Sequence, residues 1–315
     1  MDRLAKMKLT QLQLMELTRL AEKATTQAGS MIESIIESDP RLQQVSIKQK
    51  QSGSSPASQV VTEVDLKSEK IILEILKPSL QQYELALLSE ETIDDNSRFN
   101  RDYFWCIDPL DGTLAFTESR PGFSISIALV SKGGEPLIGV VYDPSTHTLF
   151  SSTKGAGVFK NGSAFALTKS NQENSHKLNS HKLTIFTEPS LIEHPSFTSI
   201  RSALSQTDIS LSWNEIELKQ GGGAVINACK VLENHPAVYF KLPKVSEGGG
   251  SSWDFAATSA IFNELGLVVT DVFGKPLQLN KCGNTFMNHC GVVYASDHYI
   301  AEVVQNTLSK SIPGL

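Results

Sequence analysis

The chain has 315 residues, of which 40% are hydrophobic and 20% charged, so it can form one large domain or two fused halves around a sizeable core. A formal net charge of −6 without a long lysine or arginine run argues against nucleic acid polymers and membranes as partners. The four cysteines form no CxxC pair and the N-terminal segment lacks secretory character, so we expect a cytoplasmic protein without a zinc site or disulfide framework.

The first part of the chain is predicted to contain helices separated by a loop. Apolar residues recur at helical spacing over residues 9–38, which predicts one long amphipathic helix or two in sequence. The polar, small residues at 49–56 predict a mobile loop. A further helix is expected over residues 66–76, ended by Pro78, with Thr62 as a candidate N-cap in a capping box.

The middle of the chain is predicted to form an antiparallel meander. Short apolar runs and period-two alternation predict strands at residues 85–88, 103–107, 123–130, 137–142, 148–151 and 157–160. The Asn-Gly pair at 161–162 is typical of a tight hairpin turn.

The polar, repetitive stretch 170–182 predicts a surface insertion between two halves, residues 1–168 and 183–315, fused into one compact unit. In the second half, helices are expected at 224–232, at 253–265 and after Asp297. Strands are expected at 183–187, 237–240, 267–270 and 291–294. This interleaving predicts a layered α/β (α+β) class.

The Asp-Pro-Leu-Asp-Gly-Thr motif that begins at Asp108 is the most informative stretch of the sequence. Asp108 ends a predicted strand, where ligand sites gather in open sheets, and Pro109 stiffens the turn that brings Asp111 near it. Gly112 and Thr113 would present free N–H groups to an anion. Carboxylates beside such a cradle are useful when divalent cations lie between acid and phosphate. The alternative is that these residues only form turns.

Four more acids are candidates for the same site. Glu90 and Glu91 end a predicted strand, where Glu90 can bind a metal and Glu91 can polarise a water, or both are merely solvated. Asp65 is a candidate base or a helix-capping acid. Asp254 follows a glycine-rich stretch and is either a metal ligand or a first-turn acid. Since HExxH, GxSxG and P-loop patterns are absent from the sequence, an all-oxygen site for Mg²⁺ or Mn²⁺ is favoured over zinc.

Three blocks in this order resemble the inositol monophosphatase superfamily of lithium-sensitive, Mg²⁺-dependent phosphatases. They are SEE at 89–91, DPLDGT at 108–113 and WDFAA at 253–257, and the resemblance extends from about residue 20 to residue 300. It implies a layered α-β-α-β-α sandwich, often as a homodimer, that binds two or three Mg²⁺ ions with Mn²⁺ as a substitute. It also implies direct, in-line attack on phosphorus by an activated water, without a phospho-enzyme.

The resemblance further implies roles for individual residues. The implied metal ligands are the side chains of Glu90, Asp108, Asp111 and Asp254 and the carbonyl of Leu110. Asp108 would bridge two metals, and Glu90 would also contact a third, weakly held metal. Gly112 and Thr113 resemble the phosphate cradle, and Asp65 with Thr113 resembles the pair that activates the attacking water.

Two departures from the family pattern stand out. The family usually has a lysine shortly before the position of Asp65, whereas the candidates here, Lys48 and Lys50, lie further away. The glycine-rich stretch 247–252 is also longer than usual.

The substrate is suggested by residues of the second half. The segment that contains Gly222 and Gly223 resembles the lining of the substrate pocket. Lys241 stands where inositol monophosphatases tend to have a glutamate, whereas bisphosphate nucleotidases and sugar bisphosphatases tend to have a cation. A cation suits a second phosphate, although Lys241 can also be a solvent-facing strand end.

The sequence therefore favours a 3′(2′),5′-bisphosphate nucleotidase-like phosphomonoesterase that acts on a small-molecule phosphate ester, although the Ser-Ser-x-Lys pattern typical of that branch is missing. Inositol-1-monophosphatase is the second choice and a fructose-bisphosphatase-like activity the third. A non-catalytic regulatory protein on a phosphatase fold is the alternative of another class.

Overall fold

The computed structural model describes residues 8–38, 56–167, 182–205, 213, 215–246 and 248–312, with side chains from residue 63 onward in the second range. Residues 49–55 of the predicted loop, Lys48, Lys50 and residues 170–181 of the predicted insertion lie outside the described residues. Among the helices in the described ranges, none combines the length and hydrophobicity needed to cross a bilayer.

Two long helices form the first layer. Helix α1 spans Gln11–Ser38 and α2 spans Pro56–Gln82. The buried side chains of α1 recur every three or four residues and include Leu17, Ala21 and Ala28, so one face of a single continuous helix packs on α2 and the sheet beneath.

The second layer is a seven-stranded sheet in which the strands follow one another in sequence order. Its strands are β1 Ala86–Ser89, β2 Tyr103–Asp111, β3 Ser124–Ser131, β4 Pro136–Asp143, β5 Thr148–Thr153, β6 Gly157–Lys160 and β7 Ser163–Phe165. The neighbours from β2 to β7 are antiparallel, which confirms the predicted meander over these strands. Strand β1 departs from the prediction, because it pairs with β2 in parallel.

The fourth layer is a five-stranded sheet of order β11-β12-β10-β8-β9. Its strands are β8 Lys182–Thr187, β9 Glu215–Gln220, β10 Ala237–Lys241, β11 Val268–Thr270 and β12 Val292–Ala295. Strand β8 pairs in parallel with β9 and β10, whereas β12 is antiparallel to β10 and β11.

The remaining helices are α3 Thr113–Thr117, α4 Pro189–Ile192, α5 Phe197–Ser205, α6 Ala224–Glu233, α7 Ser252–Glu264 and α8 His298–Ser311. Helices α6 and α7 lie between the sheets and share one apolar core with both of them. Helices α5 and α8 cover the outer face of the second sheet. The predicted α-β-α-β-α layering is therefore confirmed. The division into halves at 168–183 stays a prediction, and the central core joins residues from both.

Helix α2 differs from its prediction at both ends. It begins at Pro56, ten residues before the predicted start at Leu66, so Thr62 lies inside the helix and its predicted capping role is wrong. It also continues through Pro78, because Leu76 and Tyr83 on either side are buried against the sheet. This burial offsets the hydrogen bond that the proline cannot donate.

Strand β2 continues past Asp108, where the sequence predicted its end. The pairing with β3 shifts between Asp108 and Asp111, so a bulge takes up Pro109, which cannot donate to the sheet. Strand β9 and helices α3, α4 and α5 were not predicted.

Candidate active site

The predicted site residues converge on one cavity of about 250 Å³, here called the catalytic cavity. Its walls come from the ends of β1, β2 and β10 and the starts of α3, α6 and α7. Ten predicted residues line it: Glu90, Asp108, Leu110, Asp111, Gly112, Thr113, Gly222, Gly223, Lys241 and Asp254. Asp65 and Glu91 are not in its lining.

The parallel pairing of β1 and β2 places the first two acids side by side. Ser89 is opposite Ile107, and the N–H of Glu90 donates to the carbonyl of Ile107 at 3.2 Å. Glu90 and Asp108 therefore follow the paired strands at the same edge of the sheet. Asp108 is buried, and its Oδ1 accepts the N–H of Leu110 at 3.0 Å, which fixes the turn.

Asp111 joins strand β2 to helix α6. Its Oδ1 accepts the N–H of Ala224 at 3.2 Å and its Oδ2 accepts the N–H of Val225 at 3.0 Å, at the electropositive start of the helix. A Cβ atom on Gly223 would lie 2.3 Å from Asp111 Oδ2. Only glycine at position 223 leaves this carboxylate in place.

Gly112 allows the close backbone packing below the cavity. Its φ of 84° favours glycine, and a Cβ atom there would lie 2.4 Å from the carbonyl oxygen of Gly122. Helix α3 begins at the next residue, Thr113, so the first N–H groups of that helix are not used within it. The predicted role of Gly112 and Thr113 as an anion cradle stays a prediction.

Asp254 is the third residue of helix α7. Its Oδ2 accepts the N–H of Ser251 at 2.5 Å, so the acid helps to cap its own helix. Asp254 is therefore a first-turn acid that stabilises its own helix, and it also lines the catalytic cavity.

Asp108, Asp111 and Asp254 form a cluster in which one oxygen atom of each lies within 4.8 Å of the others. Burial raises the pKa of Asp108 well above its ordinary range, and the charges of Glu90 and Asp254 add to this effect. Burial and the charge of Asp254 do the same for Asp111. Oxygen atoms held this close attract a hard cation, so the residues present fit Mg²⁺ or Mn²⁺.

Glu90 and Asp65 extend this acidic region. Glu90 is exposed as a residue, but the loss of water around its carboxyl group raises the pKa of that group to about 7, and the charge of Asp254 adds to the shift. Asp65 is buried, which raises its pKa to about 8, with the charges of Glu91 and Glu90 as further causes. Within the described part of the chain, Asp65 Oδ1 has no hydrogen-bond partner, so its predicted pairing with Thr113 stays a prediction.

Glu91 is half-buried beside the cavity. Burial raises the pKa of its carboxyl group, and the charge of Glu69 adds to the shift. Its predicted role in polarising a water stays a prediction.

The structure adds a residue that the sequence did not single out. Glu188 lies in the wall of the catalytic cavity, accepts the hydroxyl proton of Tyr239 at 2.7 Å and pairs with Lys241 at 2.9 Å. The Lys241 side chain is only 15% exposed, so the alternative of a solvent-facing strand end is wrong. The sequence around Glu188 gives no sign of this role, because its partners Tyr239 and Lys241 lie on strand β10, far away in the chain.

Comparison with known proteins agrees with this geometry. The inositol monophosphatase family model matches residues 13–312. Nus factor SuhB of Vibrio cholerae is 28% identical over 287 residues, which are 91% of this chain and 94% of that protein. Nus factor SuhB of Escherichia coli K12 is 27% identical, over 81% and 85% of the two chains.

Solved structures support the same fold. The inositol monophosphatase of Anabaena (Nostoc) superimposes with a TM-score of 0.67 at 22% identity, over 96% of this chain and 98% of the other. Inositol monophosphatase II of Staphylococcus aureus gives a TM-score of 0.70 at 20% identity, over 95% and 98%. The chain, from its first long helix to its last, belongs to the inositol monophosphatase family.

Proposed function

We propose that the chain is a Mg²⁺-dependent phosphomonoesterase that hydrolyses a small-molecule phosphate ester. The observation that carries this proposal is the cluster of Asp108, Asp111 and Asp254 beside the start of helix α3. The acids supply oxygen ligands, and the glycine-lined backbone supplies N–H donors for an anion. Both are needed to hold a phosphate against a divalent cation.

Each residue has a defined task in this proposal. Glu90, Asp108, Asp111 and Asp254, with the carbonyl of Leu110, would hold Mg²⁺. When bound, Mg²⁺ supplies Lewis-acid polarisation of the phosphoryl group and of water. The backbone at Gly112 and Thr113 would orient the phosphate.

The buried carboxyl of Asp65 would accept the proton of the attacking water, with the hydroxyl of Thr113 positioning that water. Burial raises the pKa of this carboxyl to about 8, and a cation bound nearby would favour the ionised form that can accept a proton. Glu91, half-buried beside Asp65, would help to orient the same water.

We further propose a nucleotide bisphosphate as the preferred substrate. Lys241 lies in the wall of the catalytic cavity and can approach a second phosphate. Two of the similar solved structures, both of the protein named SaIMPase-II, have 2′AMP and inositol monophosphate bound, so one protein of this fold binds both a nucleotide and an inositol ester. Glu188 lowers the net charge beside Lys241, which leaves inositol 1-phosphate as the alternative.

Phosphate release tests both statements. Purified protein is assayed with Mg²⁺ on adenosine 3′,5′-bisphosphate and on inositol 1-phosphate, with EDTA as the control. We expect release that EDTA abolishes, and a higher kcat/KM for the nucleotide. Preference for inositol 1-phosphate would overturn the substrate proposal and leave the reaction class intact. No release from either would count against the reaction class.

A regulatory function is the second candidate, because the curated relatives described above carry the name Nus factor. In that case the acidic cluster would hold a cation for structural reasons. Thermal stabilisation by Mg²⁺ without phosphate release from either ester would favour this function.

A further inference from the structure

A second cavity of about 230 Å³ lies next to the catalytic cavity. It is lined by residues at and after helix α4, such as His194, and by the segment that follows strand β10, including Lys244. The two cavities share Glu188 and Lys241 in their walls. Each alone is smaller than the roughly 300–1,000 Å³ usual for a ligand site, whereas the two together fall within that range.

The wall between the cavities is an ordered ion pair. Lys241 Nζ lies 2.9 Å from the Glu188 carboxylate, which also accepts the hydroxyl of Tyr239. Lys241 stands at the end of β10, and its register partner on β12 is Val292. The two cavities therefore meet at this ion pair.

The two cavities have opposite electrostatic character. The catalytic cavity contains five acids, three of them in the cluster, against the two cations Arg120 and Lys241. The second cavity contains Lys241 and Lys244 against the single carboxylate of Glu188, with the imidazole of His194 also in its lining. Among the described residues, none forms an ion pair with the ammonium of Lys244. An anion is attracted to such a site, and its apolar walls can hold a ring.

Lys244 is held by its backbone rather than by its side chain. Its N–H donates to the carbonyl of Asn288 at 2.7 Å, and the N–H of Met287 donates to Gly250 at 2.9 Å. A Cβ atom on Gly248 would lie 3.1 Å from Lys244 Nζ, so the glycine-rich segment leaves room for the ammonium group. Of this segment, Gly249 lines the second cavity.

We infer that the second cavity binds a phosphate of the leaving group through Lys244, in a substrate that is a small bisphosphorylated nucleoside. This inference rests on the proposed function, because the other phosphate would be the one hydrolysed at the acidic cluster. Lys244 is then a specificity-determining residue that contributes to binding but not to the chemistry.

Two substrates that differ by one phosphate test this role. The kcat/KM is measured on adenosine 3′,5′-bisphosphate and on adenosine 3′-monophosphate for the wild type, Lys244→Ala, Lys244→Arg and the exposed control Lys275→Ala. We expect Lys244→Ala to lower the value about tenfold on the bisphosphate and less than about twofold on the monophosphate. Lys244→Arg and Lys275→Ala should stay close to the wild type. Equal effects of Lys244→Ala on both substrates would overturn the inference.

A binding measurement separates this inference from the proposed function. Adenosine 5′-monophosphate is titrated calorimetrically in EDTA, where the acidic cluster repels phosphate. We expect Lys244→Ala to weaken the Kd about tenfold. An unchanged Kd would overturn the second site, whereas a weakened Kd in a protein that releases no phosphate would overturn only the phosphatase proposal. Lys244→Gln provides the same comparison if the alanine variant fails to fold.

Discussion

At the scale of single residues, Glu69 is the group that orders the acids at the end of β1. Its buried carboxylate accepts the hydroxyls of Ser89 and Thr92, the latter at 3.1 Å. These two hydroxyls stand on either side of Glu90 and Glu91 in the chain. The hydrogen bonds therefore fix the backbone that carries both acids, without Glu69 lining the catalytic cavity.

We predict that Glu69→Ala raises the Mg²⁺ concentration needed for half-maximal activity about tenfold or more, because the backbone around Glu90 loses two anchors. Glu69→Gln keeps acceptor capacity and should lie between this variant and the wild type. The measurement is activity against Mg²⁺ concentration, with the exposed Glu74→Ala on the same helix as control. If Glu69→Ala lowers stability but leaves the Mg²⁺ curve unchanged, Glu69 has only a structural role.

Asp108 is the most buried acid of the cluster. Replacing its carboxylate by an amide removes the negative charge and keeps the size and shape of the side chain. We predict that Asp108→Asn lowers turnover at least about a hundredfold, since a ligand worth several kcal/mol in the transition state is lost. Its thermal midpoint in EDTA should not fall, because a repelled buried carboxylate is removed. Glu84→Gln, an exposed substitution, is the control. Retention of more than about a tenth of the activity would contradict the assignment.

The site residues that sequence reasoning found belong to local motifs. Asp108 and Asp111 lie in one turn, and Asp254 opens a helix behind a glycine-rich segment, so their chemistry is visible within a few residues. Glu188 and Glu69 were missed because their partners lie in other elements, at Lys241 and Ser89. Contacts of that kind depend on the packing of the sheets rather than on local pattern.

At the scale of elements, the junction between β2 and α6 depends on the absence of a side chain at Gly223. This residue has a φ of −66° and a ψ of 179°, which any residue can adopt, so alanine meets no backbone strain there. The added methyl group would instead collide with the Asp111 carboxylate and disturb its hydrogen bonds to the start of α6.

We therefore predict that Gly223→Ala costs about 1–3 kcal/mol of unfolding free energy and most of the activity. Denaturant unfolding and phosphate release measure the two effects. Gly133→Ala is the matched control, because the nearest atom to a Cβ there is Ser131 Oγ at 3.7 Å. If Gly223→Ala and Gly133→Ala give the same unfolding free energy and the same activity, Asp111 can move without loss of stability or turnover.

The elements themselves were predictable where one pattern dominates. The strands of the meander and helices α6 and α8 follow an apolar pattern, while α7 is a run of apolar and small residues buried nearly all round; all were predicted within a few residues of their bounds. The start of α2 was not predicted, because the residues that directly follow Pro56 do not place apolar side chains at helical spacing. Strand β9 was missed because Glu215, Glu217 and Lys219 make it look like a polar loop, although β8 supplies its hydrogen bonds.

At the scale of the whole molecule, five layers bring acids from three separate elements to one point. Strands β1 and β2 supply Glu90, Asp108 and Asp111, while helix α7 supplies Asp254 from between the two sheets. The apolar core shared by both sheets holds these elements together. The fold therefore holds carboxylates close together that would lie apart in the unfolded chain. Without a cation, folding must overcome the repulsion between these charges.

The pH dependence of stability follows from this repulsion. A carboxyl whose pKa is raised on folding binds more protons in the folded state than in the unfolded state at neutral pH. Its contribution to stability is complete below the unfolded pKa of about 4 and is lost as the pH rises through the folded value. The folded pKa is about 8 for Asp65 and about 7 for Glu90. Stability without metal should therefore fall between pH 6.5 and 8.5.

We predict that the thermal midpoint in EDTA drops by about 5 °C or more over this range, and that saturating Mg²⁺ reduces the drop because a cation stabilises the ionised carboxylates. The range begins at pH 6.5 because burial lowers the pKa of His235, whose protonation destabilises the fold only at lower pH. Asp65→Asn should flatten the slope in EDTA. Parallel slopes with and without Mg²⁺ would show that the cation does not bind the acids responsible for the pH dependence. A slope unchanged in Asp65→Asn would exclude Asp65 as one of those acids.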